Sequence, residues 1–487
     1  MHIILKLLAL LMLASPAHAA WQRAESKHFV IYSDGSDKDL RRYAERLEAV
    51  HWLMKAATSV DDSGKIVKVR VYLVPDVSTV KRLIGAPDSN IAGFYRPGTG
   101  GAIAVVPRNT GTDGIFTGQL VLFHEYAHHF MLQYSPAAYP AWYVEGFAEI
   151  VSTASFERKG AISYGRAASH RQREIQNTEW TPLAKLLDGS VSARGQVRPN
   201  NFYGQSWLLS HYLSFSEARK GQLSAFIAAI NRGVAVADAT KVFGDLTQLE
   251  RELRTYGAGG TFPYLAPALP ADLDVATVVT AVPSGEAVLI DERIEIGRRT
   301  RAGKDAAALT ARSAWIAALT AKVAKLGNDP DGLQLLADAQ CAAKDWAACA
   351  TTADRLLAVA PARPGAMLRK GEAMMQVAEA NPAVARSWIV KANRADPEAP
   401  EPLIAYYQSF VREGRAVPEV ALDGLINAQQ TVPQVSSVRL MLARALIAAK
   451  RLGEARHVLR PLAYAPHGGE DKTAAAAMLD GIEGTKQ

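Results

Sequence analysis

The chain has 487 residues, 49% of them hydrophobic, which is enough for two or three domains with sizeable cores. Its 55 Lys and Arg against 48 Asp and Glu leave a formal charge of +7, scattered along the chain rather than gathered in one basic stretch, so no nucleic-acid partner is expected. Two cysteines, Cys341 and Cys349, exclude a disulfide framework as the main source of stability.

Residues 1–19 read as a secretory signal peptide. Lys6 precedes the apolar run Leu7 to Ala14, and Ser15-Pro16-Ala17-His18-Ala19 then places small residues where a signal peptidase reads. The apolar core, Ile3 to Ala14, is about a dozen residues long, short of the roughly 20 that span a bilayer. No later segment is long enough, and no cysteine follows the cleavage site to carry a lipid. The expected mature chain therefore starts near Ala20, has no transmembrane segment, and resides in the periplasm or the medium.

A first domain is expected over 20–260. Strand-like runs at Lys27 to Ser33, Ile66 to Val74 and Ala102 to Val106 surround a helix from about Lys38 to Ser59, and helical patterns dominate from Gly118 onward. That order predicts an α+β fold with strands first. The stretch Gly100 to Pro107, bounded by glycines and closed by a proline, fits an edge strand and fits an internal strand equally well.

From Gly118 to Tyr134, the residues Leu120, Phe123, Ala127, Phe130, Met131 and Tyr134 recur at helical spacing and bury one stripe. His124-Glu125-Tyr126-Ala127-His128 lies on this helix, so two imidazoles sit one turn apart with a carboxylate between them. That spacing suits a zinc ion with its general base beside it. Glu145 follows His128 by 17 residues, in Trp142-Tyr143-Val144-Glu145-Gly146-Phe147-Ala148-Glu149, and is the expected third ligand. Three protein ligands would leave one tetrahedral position for water, the arrangement of a catalytic site. A helix that merely tolerates two histidines is the alternative the pattern alone leaves open.

These residues together resemble the gluzincin metallopeptidases, in particular their peptidase MA-like bacterial branch, over roughly residues 21 to 260. The resemblance implies that His124, His128 and Glu145 bind Zn2+ and that Glu125 is the general base. It also implies that Glu149 hydrogen-bonds a ligand histidine, although a solvated helix position would suit Glu149 too. The segment Asn201 to Leu213 resembles the family's following helix, which makes Tyr203 the candidate for polarising the oxyanion, with packing in the core as its alternative. His211 is a weaker substitute for that role, while His28, His129 and His170 are expected to be bystanders. The family's strand before the zinc helix pairs with an extended substrate, which implies a peptide bound by strand addition.

After Tyr256, Gly257-Ala258-Gly259-Gly260 and Pro263, Pro267, Pro270 and Pro283 predict a linker over 261–284. Beyond it, over 285–487, the chain is alanine-rich, and prolines 330, 361, 397, 433 and 466 recur at intervals of 31, 36, 36 and 33 residues. With Leu333, Leu336, Ala337, Ala353, Leu356 and, later, Ala443, Gly453, Ala455 and Leu459, this segment resembles degenerate tetratricopeptide repeats. Such an all-α array implies a groove for a peptide or partner protein. Cys341 and Cys349 could bridge two adjacent helices or stay as two buried thiols.

The expectation is thus an α+β zincin-like domain followed by a tetratricopeptide-like helical domain: an exported zinc metallopeptidase, acting within chains rather than at their ends. The alternative is a periplasmic protein-interaction module whose peptidase-like domain is inactive. A zinc hydrolase acting on a non-peptide amide is a third reading.

Overall fold

The structure is a computed structural model and describes residues 21–64, 67–89, 91–108, 118–157, 160–176, 179–189, 199–301, 303, 305–377, 381–465 and 469–484. The expected signal peptide, 1–19, and Pro466 lie outside the described residues.

The N-terminal half is built on a mixed sheet. Its strands are β1 (Gln22–Glu25), β2 (Phe29–Ser33), β3 (Val69–Val74), β4 (Phe94–Arg96) and β5 (Ile103–Pro107). Strands β2, β3 and β5 run parallel, because helix α1 (Asp37–Thr58) carries the chain back between the first two and helix α2 (Val77–Ile84) lies between the next two. Side chains alternate between the faces with period two. Ile31, Val71, Ala104 and Val106 join one core with α1, while Tyr32, Tyr72 and Val105 join another with α2 and the helix Ile290–Arg301. This half is therefore α/β, with strands and helices interleaved, rather than the α+β arrangement expected. A parallel pair needs a crossover helix, and that requirement dictates the interleaving. The 103–107 strand is internal; three-residue β4 closes that edge, antiparallel to β5.

Helix α3 (Gly118–Tyr134) leaves the end of β5 so closely that a Cβ on Gly118 would stand 2.2 Å from the Pro107 carbonyl oxygen. Its apolar stripe joins the α1 core through Leu122, Phe123, Tyr126, Ala127 and Phe130. Helix α4 (Ala141–Ser152) packs against α3 on one side. After the hairpin β6 (Ser155–Phe156) and β7 (Ile162–Ser163) come α5 (Gln172–Gln176), α6 (Leu183–Leu187) and α7 (Phe202–Phe215), and α7 covers the other side of α4.

The proline-rich stretch 261–284 runs back over this half. Leu265 and Ala268 bridge to Tyr164 and Ala161, and β8 (Val278–Ala281) pairs with β1 as the sixth strand.

Beyond it, helices pair along the chain as Pro330–Ala342 with Trp346–Val359, Pro364–Met374 with Pro382–Ala395, Pro400–Arg412 with Glu419–Thr431, and Ser436–Ala448 with Leu452–Ala463. Proline opens the first helix of the first three pairs, where its missing N–H costs nothing. Each helix also packs on the next pair, giving a helical array, and Gly469–Gly484 packs on its last pair. Cys341 and Cys349 are bonded to each other, with Cα atoms 5.3 Å apart, and tie the two helices of the first pair. The array folds back on the N-terminal half. Glu401 accepts from Thr99 at 2.9 Å, the Thr431 carbonyl from Gln133 at 3.2 Å, and the Asn231 carbonyl from Arg460 at 2.8 Å. Among the described residues no helix is long and apolar enough to cross a membrane.

Gly146 sets the approach of α4 to α7, since a Cβ there would lie 2.0 Å from Ser210 Oγ and 2.4 Å from the Ser206 carbonyl oxygen. A serine rotamer can move, whereas the backbone carbonyl cannot. Gly146→Ala is expected to destabilise the fold by about 1–3 kcal/mol through overpacking, read as a lowered urea midpoint at unchanged slope. An unaltered midpoint would mean that the two helices do not pack this closely.

Candidate metal centre

Helical geometry puts His124 and His128 one turn apart on α3, and the packing of α4 brings Glu145 against them. The two Nε2 atoms are 3.1 Å apart, and Glu145 Oε2 lies 3.4 Å from His124 Nε2 and 3.3 Å from His128 Nε2. An ion bound tetrahedrally at about 2.0–2.1 Å holds its ligand atoms roughly 3.3 Å apart. The three expected ligands therefore converge with the spacing a zinc ion requires. Two imidazoles and one carboxylate are also the donor set that suits zinc.

The next carboxylate on α4 braces this group. Glu149 is fully buried, with Oε1 3.4 Å from His124 Nδ1. It accepts from His170 Nε2 at 2.7 Å and from Arg171 Nε and Nη2 at 3.0 and 2.6 Å. Burial pushes the Glu149 carboxyl up, but the His170 hydrogen bond and the His124 and Arg171 charges outweigh it and bring it to about 2. Burial likewise disfavours charge on His124, yet the Glu145 hydrogen bond and the nearby carboxylates raise it to about 9. The site thus favours positive charge at this point, whether proton or cation.

Glu125 and His128 open into a cleft of about 350 Å³. Tyr95, Tyr139 and Val144 line it on the near side, and Pro433, Gln434 and Leu462 of the helical array line it opposite. The Tyr95 hydroxyl is 2.8 Å from His129 Nδ1, and burial first, then the Glu125 charge, raises its pKa well above the usual tyrosine value. Tyr95 therefore stays a protonated phenol beside Glu125.

Two other expected residues, Tyr203 and His211, are held by partners of their own. Tyr203 is not among the residues lining the cleft; its ring receives the Arg171 guanidinium at 4.7 Å, behind Glu149. His211 is fully buried, donates through Nε2 to the Gly165 carbonyl at 2.7 Å and accepts at Nδ1 from the Tyr256 hydroxyl at 2.8 Å. Two histidines expected to be bystanders have partners at the site, His170 on Glu149 and His129 on Tyr95. Sequence reasoning also missed Arg171, Tyr95 and Tyr139. Ser169-His170-Arg171 forms a short 3-10 turn, and Tyr95 sits on a three-residue strand, neither of which has a periodicity to read.

No family model matches the chain, and no curated protein matches it. Among solved structures it is similar to a thermophilic TPR protein from Thermus thermophilus, at 21% identity and a TM-score of 0.31, over 39% of this chain and 94% of that one.

Burial lowers His211 from its ordinary 6.5 to about 4. The unfolded chain thus takes up this proton before the folded one does, so the neutral imidazole's contribution is complete above pH 6.5 and is lost as pH falls towards 4. The melting temperature is expected to drop over that interval, and His211→Gln, which cannot titrate, should show a shallower drop from a lower plateau. Equal slopes in the two chains would show that His211 is not held neutral.

Proposed function

We propose that this chain is an exported zinc-dependent metallopeptidase of the gluzincin type. The observation that carries the proposal is the convergence of His124, His128 and Glu145 at 3.1–3.4 Å with Glu125 in the adjoining cleft. When bound by these three residues, zinc supplies a Lewis acid and a water acidic enough to react at neutral pH.

The chain's own groups account for the remaining steps. Glu125 takes the proton of the attacking water and delivers it to the leaving amine. Glu149, charge-compensated by Arg171 and His170, orients His124. Tyr95 offers a phenol to the developing oxyanion from the cleft wall, while the Tyr203 ring stacks on Arg171. The substrate is a peptide segment lying between α3 and the helical array, whose Pro433 and Leu462 add apolar contacts. A cleft walled by two parts of the chain suits cleavage within a polypeptide. The Cys341–Cys349 bond supports an oxidising compartment outside the cytosol, in keeping with the expected signal peptide.

A second reading has its own supporting observation. Because the array forms one wall of the cleft, the molecule is also suited to holding a protein partner without turnover. Cleavage of an unfolded protein by wild type and by Glu125→Gln separates the two. The peptidase reading expects chelator-sensitive cleavage that the substitution lowers by about 10²–10⁴-fold, with zinc content unchanged. Absence of cleavage in both, with the partner still bound, supports the holding module instead.

A further inference from the structure

A second group of ligand-type side chains lies behind the metal helix, away from the residues that line the cleft. His28 immediately precedes β2, His51 lies on α1, and Asp62 lies just after α1. Their side chains are only 4, 3 and 6% exposed, and one potential ligand atom from each falls within 4.8 Å of the others.

The hydrogen bonds orient all three inward. His28 Nδ1 donates to Glu48 Oε2 at 2.6 Å, and Glu48 is itself held by Ser26 Oγ at 2.6 Å and by the His28 N–H at 2.8 Å. This fixes the tautomer and turns the lone pair of Nε2 into the cluster. His28 Nε2 is buried and has no hydrogen-bond partner among the described residues, since Asp62 Oδ2 at 3.8 Å is beyond hydrogen-bond reach. His51 is positioned the same way: Nδ1 lies 2.7 Å from the Tyr126 hydroxyl, and Nε2 lies 3.1 Å from the same Asp62 oxygen. The other Asp62 oxygen is taken by Lys55. The two imidazoles stack with centroids 3.7 Å apart.

We propose that His28, His51 and Asp62 form a second divalent-metal site, selective for zinc or a similar ion, with water as the fourth ligand. Contacts of 3.1 and 3.8 Å bracket the roughly 3.3 Å between neighbouring ligand atoms of a tetrahedral zinc ion. Each ligand is backed by its own partner, Glu48, Tyr126 or Lys55, as ligands of bound metals usually are. An orphaned imidazole nitrogen in a polar, closed site is the feature that hydrogen bonding alone leaves unexplained. The site is buried and lies away from the residues that line the cleft. It clamps α1 to the start of β2 and, through Tyr126, bears on the back of α3 beside Glu125.

The test is metal content of the full mature chain, loaded with zinc, dialysed against metal-free buffer and measured by mass spectrometry. Wild type should hold about two equivalents, His128→Ala about one, and His128→Ala with His28→Gln close to none. Should the double variant fail to fold, a cobalt titration of His128→Ala decides, because a tetrahedral visible band with histidine ligation places the ion at the second group. Failure of His128→Ala to retain zinc or to give a cobalt band would overturn the proposal. The first centre is judged separately: a single equivalent in wild type that survives His128→Ala and is lost in His28→Gln keeps the second site and removes the first.

Discussion

The burial of two carboxylates on α4 is the constraint on which the centre depends. Glu145 and Glu149 are both 0% exposed. A carboxylate taken out of water is costly unless opposite charge and hydrogen bonds replace its hydration. For Glu149 the replacement is built from the chain, with Arg171 and His170 on its oxygens. Glu145 instead faces the two imidazoles of α3. The pair is therefore asymmetric, one carboxylate serving as scaffold and the other standing where a cation would be stabilised.

That burial goes with the small residue next to Glu145. Gly146 lets α7 approach α4 to the point where a single methyl group would collide with a backbone carbonyl. Trp142 on α4 and Trp207 on α7 are packed to 0 and 1% exposure in the same core. Rigidity of this kind matters to ligand geometry, because a close-packed interior passes small displacements on rather than absorbing them. The depth of Glu145 and the smallness of its neighbour are one feature of the sequence seen from two sides.

What was legible in the sequence was what repeats locally or pairs across one helical turn. The apolar stripe of α3, the i,i+4 histidines, the α1 helix and the helical periodicity after residue 285 depend only on near neighbours. Glu145 was reachable because one loop joins α3 to α4. The rest was hidden by distance along the chain. Val278 to Ala281 complete the sheet next to β1, more than two hundred residues earlier, and the proline-rich composition around them gives no strand signal. Tyr203 and His211 have the residue types suited to an oxyanion role, but which way α7 turns is decided by its packing on α4 and on later residues such as Tyr256. The arginine that braces Glu149 and the buried His28–His51–Asp62 group have no motif, because their members meet only in the folded chain.

The helical array bears on the centre through geometry more than through any motif of its own. Gln133, at the end of α3, is tied to the Thr431 carbonyl, and Arg460 is tied to the Asn231 carbonyl. These two contacts flank the array residues Pro433, Gln434 and Leu462 that wall the cleft. Arg439 fixes that wall from within, donating to the Pro433 and Val458 carbonyls while itself only 3% exposed. The wall is thus held by backbone carbonyls on both sides and does not depend on surface ion pairs, which contribute little in water. The cleft that Glu125 and His128 line lies between α3 and these array residues. The two halves are coupled because the cleft has no second wall without the array.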